Sequence, residues 1–139
     1  MKNKIGFILY YLTIILILLF GAMYMFKPSF MPYHAHIVHL NWGQIPETEQ
    51  VLVRALMIAV GGVTISVGII LGLLIFKFQQ TGLQWISNLV MVSGIIASLL
   101  ISVAPIFVIL HSDSVPPLYF PVIIIVLLIT SNALTRVKK

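Results

Sequence analysis

Apolar residues in this chain do not alternate along it; they run almost unbroken through four stretches, Ile5 to Phe26, Val51 to Phe76, Trp85 to Leu110 and, shorter, Leu118 to Leu134. A bilayer core of roughly 30 Å is crossed by about 20 apolar helical residues, whereas a membrane barrel strand would alternate over about ten. The pattern therefore predicts an all-α integral membrane protein. Its expected form is a single membrane domain, a four-transmembrane-helix bundle with helices at about 5–26, 46–76, 85–110 and 118–134 and an outer loop at 27–45. The first stretch follows Met1-Lys2-Asn3-Lys4 as a signal peptide would, but its apolar run is too long and no A-x-A site lies near Gly21-Ala22-Met23. It is expected to be a retained helix.

Composition agrees with lipid as the solvent: 60% of residues are hydrophobic and 8% charged, too few charges to cover a soluble globule. The chain lacks cysteine, which removes disulfides, thiolate chemistry and thiolate-held metals. The net charge of +5 does not call for nucleic acid as a partner, because Lys2, Lys4, Lys77, Arg136, Lys138 and Lys139 sit at chain ends or beside apolar runs. By the positive-inside rule these charges place the N and C termini in the cytoplasm. Glu47, Glu49, Asp113 and all four histidines then fall on the outer side.

The second stretch is expected to start at Pro46, a favourable first helical position, with Glu47 and Glu49 complementing the helix dipole in its first turn. About two turns further in stands Arg54, expected to snorkel outward or to pair with Glu47 or Asp113. Two stripes of small residues run along this helix, Ala55, Ala59, Gly62 and Ser66 on one side and Gly61, Gly68 and Gly72 on another. Such stripes let helix backbones approach closely in lipid, so two stripes predict two neighbours. Ser87, Gly94, Ser98 and Ser102 repeat the pattern on the third stretch, with Pro105 as a kink site. These two helices are expected at the bundle centre, and the first and fourth against lipid.

Candidate chemistry lies in the outer loops. His34, His36 and His39, with His111 from the other loop, are residue types that bind Zn or Cu where thiolate is absent; Met23, Met25 and Met31 could add thioether ligands for copper. Their spacing matches no defined zinc motif, and the alternative is histidines bonded within the loop or to headgroups. His111-Ser112-Asp113-Ser114 holds hydrolase residue types without a nucleophile elbow and reads as a loop. Trp42, Glu47, Gln50, Arg54 and Asp113 form a further polar set. Within the spans there is no Asp, Glu, Lys or His at mid-depth, which argues against a proton relay or an ion pump.

Pro32-Tyr33-His34, Trp42, Gln50 and Gly61-Gly62 followed by an apolar helix resemble small four-span bacterial membrane proteins of uncharacterised function. The resemblance, from about Phe30 to Gly72, implies a bacterial inner-membrane home and carries no activity. Three functional readings follow. The leading one is a non-enzymatic protein acting by helix association, as a homo-oligomer or as a subunit of a membrane complex. The alternatives are an outer-face metal-binding protein or enzyme, and a lipid or small-molecule site between helices near Arg54.

Overall fold

The computed structural model describes residues 2–136. Lys138 and Lys139, counted above among the orienting charges, lie outside the described residues, as does the side chain of Lys2. The chain is all-α: α1 (Lys2–Phe26), α2 (Pro32–Val38), a 3-10 turn (Trp42–Gln44), α3 (Glu47–Thr81), α4 (Gln84–His111) and α5 (Tyr119–Thr135). Helices α1, α3 and α4 are long and apolar enough to cross a membrane, the mark of an integral membrane protein, and α5 is a shorter apolar helix of 17 residues. At 1.5 Å per residue the 35 residues of α3 extend about 52 Å. It begins at Glu47 with Pro46 as its N-cap, one place later than expected, and ends at Thr81 rather than Phe76. Gly82 then turns the chain in the left-handed region, φ 67°, its N–H donating to the Phe78 carbonyl at 2.8 Å. A Cβ is disfavoured in that conformation.

Around the bundle the order is α3, α1, α5, α4. The expectation that α3 and α4 form the centre is overturned: α1 packs most extensively, against α3 and α5, and 33% of its apolar window is buried against 22% for α3 and 17% for α4. The reason lies in two α1 glycines. A Cβ on Gly21 would stand 3.0 Å from the Gly61 carbonyl oxygen, and one on Gly6 would stand 2.5 Å from Thr135 Cγ2. Both positions thus let α1 approach a neighbour more closely than a side chain permits. Tyr10, Ile14 and Ile17 of α1 meet Leu71, Ile75 and Phe78 of α3, Ile86 and Val90 of α4, and Ile124 and Leu128 of α5 in one core.

The bundle has two unlike ends. One, called here the terminal end, holds the start of α1, the Gly82 turn and the end of α5. The other is covered by the segment between α1 and α3. There Tyr24, Phe30, Met31, Ile45 and Met57 form a second, smaller core, with Tyr33 and Trp42 packed against it. The expected outer loop at 27–45 contains a seven-residue helix, α2, followed by the 3-10 turn.

Candidate functional site

The two small-residue stripes of α3 meet different surroundings. Gly61, Gly68 and Gly72 face α1: a Cβ on Gly61 would come within 2.6 Å of both the Gly21 carbonyl oxygen and the Met25 amide nitrogen, and one on Gly68 within 2.9 Å of Leu18 Cδ2. At Gly72 the contact, with Ile14, is an ordinary 3.5 Å. On the other stripe Ala55, Ala59 and Ser66 are exposed, and nothing stands within 4 Å of where a Gly62 Cβ would be. Adjacent glycines therefore serve different faces, as 100° per residue requires. The α4 residues Gly94 and Ser98 are buried, and a Gly94 Cβ would meet Leu128 Cδ1 of α5 at 2.5 Å, so this stripe belongs to the α4–α5 seam and not to an α3–α4 centre.

Arg54 lies one heptad before Gly61, on the α3 face that packs against α1. Because α1 stops at Phe26, the side chain meets the connecting segment instead of a helix. A trough of about 480 Å³ runs beside it, lined by Pro28, Trp42, Glu47, Gln50, Val51, Arg54, Ala55 and Ile58. Gln50 ties the trough wall together: its Nε2 donates to the carbonyls of Ile45 at 2.8 Å and Trp42 at 3.2 Å. The Trp42 ring in turn stands edge-on to Phe30, with centroids 5.1 Å apart. Among the described residues Arg54 forms no ion pair, and its buried Nη1 has no hydrogen-bond partner. The expected pairing with Glu47 or Asp113 is thus not made. Both carboxylates are exposed, where water competes for them.

The histidines are dispersed among local contacts. His34 is built into the start of α2, its Nδ1 accepting from the Met31 amide at 3.2 Å while its own amide donates to the Met31 carbonyl at 2.9 Å. Burial lowers its pKa below the ordinary histidine value, and the Tyr33 ring lies 4.2 Å away, centroid to centroid. Tyr33 donates to or accepts from Tyr24 across 2.6 Å, and burial, with that phenol alongside, raises its pKa. His36 and His39 are exposed, His39 ending α2 in the left-handed region at φ 53°. His111 donates from Nδ1–H to the Phe107 carbonyl of its own helix at 2.8 Å and stacks on the Phe107 ring. Among the described residues no three His, Asp or Glu side chains come together as a metal-ligand group. On α2, His34 and His36 are two residues apart and point to different sides of the axis, and no third ligand joins the exposed pair His36 and His39 among the described residues.

A polar cluster that the sequence reading missed lies at the terminal end. Tyr10 Oη and Ser87 Oγ are 2.8 Å apart, and Asn132 Nδ2 donates to Ser87 Oγ and to Asn88 Oδ1, each at 3.0 Å. Thr135 Oγ1 donates to the Ser131 carbonyl at 2.8 Å. Tyr10, Ser87, Asn132 and Thr135 are fully buried or nearly so. The cluster joins α1, α4 and α5 through satisfied hydrogen bonds, a means of fixing helix register in lipid. Its one sequence signal was Asn132, an amide following Thr130 and Ser131 near the end of the last apolar stretch.

No family model, curated protein or solved structure matches the chain. Geometry alone therefore carries the functional reading.

Proposed function

We propose that the chain is a four-span membrane protein that works by helix association, pairing with a second copy of itself through the bare stripe of α3. The observation that carries the reading is the contrast on that helix: Gly61 and Gly68 are filled by α1, while Ala55, Ala59, Gly62 and Ser66 present the same kind of surface with nothing against it. Between helices in lipid the gain comes from close van der Waals contact, which small residues allow. One small-residue stripe meeting its own copy about a two-fold axis is self-complementary. A larger membrane complex is the competing partner for that stripe.

In this reading α5 is the fourth crossing. Its 17 residues extend about 25 Å, a shortfall that local bilayer thinning accommodates. Lys4, Lys77 and Arg136 at the terminal end favour the cytoplasmic side for both chain ends. The resemblance over Phe30 to Gly72 supports a bacterial inner membrane as the location.

The absence of native cysteine makes the test direct. In native membranes Ala59→Cys or Ser66→Cys is expected to form a disulfide-linked dimer on oxidation, and Val60→Cys, exposed on another face, is not. Gly62→Ile introduced beside Ser66→Cys should abolish the crosslink. Failure of both stripe cysteines to crosslink, together with a monomer in mild detergent, rejects self-association. Crosslinking to a different protein instead assigns the stripe to a complex.

A further inference from the structure

The geometry points to the Arg54 trough as a binding site for one phospholipid headgroup that carries both a phosphate and a primary ammonium. The site lies outside the pairing stripe, sharing only Ala55 with it, and rests on the membrane reading but not on self-association.

Three observations combine. First, a guanidinium nitrogen that is buried without a partner leaves a desolvated donor, which is destabilising, and more so on a charged group. Arg54 lines the trough and its Nη1 is in that state among the described residues, so a guanidinium that turns toward the trough gains the partner it lacks; the exposed carboxylate of Glu47 lines the same trough without pairing with it. A phosphate is the group whose oxygens match the guanidinium fork. Second, Glu47 lies seven residues before Arg54 on nearly the same helix face, about 10 Å further toward the N-terminus of α3. Since α-helical side chains lean toward the helix N-terminus, Arg54 reaches in the direction of Glu47. A cation carried outward of a phosphate, as in an ethanolamine headgroup, meets the two charges in the right order. A purely anionic ligand would meet Glu47 as a repulsion. Third, the remaining wall is apolar. Val51, Ala55 and Ile58 line the trough and are themselves exposed on the outward face of α3, so an acyl chain can run from the headgroup onto lipid-facing surface. Trp42, an amphipathic ring suited to the headgroup level, forms the opposite side with Pro28.

The occupant is thus a lipid of the phosphatidylethanolamine type, held by Arg54 at the phosphate and Glu47 at the ammonium. The test uses the full chain, delipidated in detergent and titrated separately with phosphatidylethanolamine, phosphatidylcholine, phosphatidylglycerol and inorganic phosphate, with bound lipid counted by native mass spectrometry. One phosphatidylethanolamine per chain should bind about tenfold more tightly than the other two lipids, the scale of one charge-assisted hydrogen bond. Phosphatidylcholine cannot donate from its trimethylated nitrogen, and phosphatidylglycerol has no cation. Arg54→Gln should weaken all three lipids about tenfold or more, Arg54→Lys less. Glu47→Gln should erase the preference for the ethanolamine lipid while leaving the phosphatidylcholine affinity in place. Gly62→Ile should leave lipid binding unchanged, which separates this result from the fate of the dimer.

Unchanged binding in helical, monodisperse Arg54→Gln protein would overturn the assignment. So would a preference that survives Glu47→Gln, an exposed position whose substitution leaves the fold intact and which decides the matter if Arg54→Gln misfolds. Displacement of lipid by millimolar inorganic phosphate would reassign the trough to a free anion.

Discussion

At the terminal end, Tyr10, Ser87, Asn132 and Thr135 spend their buried polar atoms on one another, whereas the opposite end of the bundle holds Arg54 Nη1 and Ser114 Oγ buried with no partner among the described residues. Both ends put polar groups out of water, so burial alone does not distinguish them. Satisfaction does. A closed network of neutral groups holds three helices in register and asks nothing of the surroundings. An open donor on a charged group lowers stability until something fills it, and persists where binding is the benefit. The first end holds the fold together; the second, under the lipid-site proposal, is left open for a ligand.

Replacing a polar side chain by an apolar one of similar size should therefore have opposite signs at the two ends. Asn132→Leu removes donors to Ser87 and Asn88 and is expected to cost about 1–2 kcal/mol, the upper range for hydrogen bonds inside membrane proteins. Arg54→Met in lipid-free detergent removes an unsatisfied donor and should be neutral or stabilising by up to about 1 kcal/mol. Reversible unfolding in mixed detergent micelles measures both. Equal destabilisation by the two substitutions would erase the distinction.

A smaller effect comes from pH. The His34 imidazole must stay neutral for Nδ1 to accept from the Met31 amide, and burial holds its folded-state pKa below the unfolded value of about 6.5. Between those two values the unfolded segment binds the extra proton, so α2 loses stability as pH falls through about 6.5 and the loss levels off below the folded pKa. Hydrogen exchange at the Met31 amide, corrected for its intrinsic rate, should speed up from pH 7.5 to pH 5.5 in the wild type. His34→Gln, whose side-chain oxygen can accept at any pH, should flatten the profile. A Gln variant with the same acid sensitivity would move the cause to another group. The terminal cluster holds no group that titrates in this window and should show no such response.

Helix extents were readable because the apolar runs are long and their polar breaks abrupt, and Arg54 stood out as a charge where charges are rare. The arrangement of the helices was not readable. On α1 nearly every position is apolar, so periodicity carries no information about which face is buried, and Gly6 and Gly21 are too far apart to look like a stripe. On α3 the sequence displays two equivalent stripes, and only the position of α1 separates the filled one from the bare one. Apart from the Asn132 amide the cluster gave no signal: Tyr10, Ser87 and Thr135 look like ordinary helix residues, and the partnership exists only across three helices. The histidines misled in the opposite sense, since His34, His36 and His39 cluster in sequence yet occupy different environments.

The smallest predicted effect bears on the same contrast through the backbone. His39 ends α2 with φ 53° and ψ 27°, a conformation that crowds the Cβ of an L residue and that glycine adopts freely. The imidazole is exposed and has no hydrogen bond among the described residues, so replacing it removes little. His39→Gly should therefore strengthen the C-terminus of α2 by about 0.5–1 kcal/mol, relief of the left-handed strain outweighing the added freedom of the unfolded chain. Amide exchange across Pro32–Val38 measures the gain. Slower exchange in the variant would add a backbone strain to the two orphaned polar atoms already found at this end. Faster exchange would mean that the His39 ring contributes more to α2 than the strain removes, and the end that carries α2 would then be less strained than its polar atoms suggest.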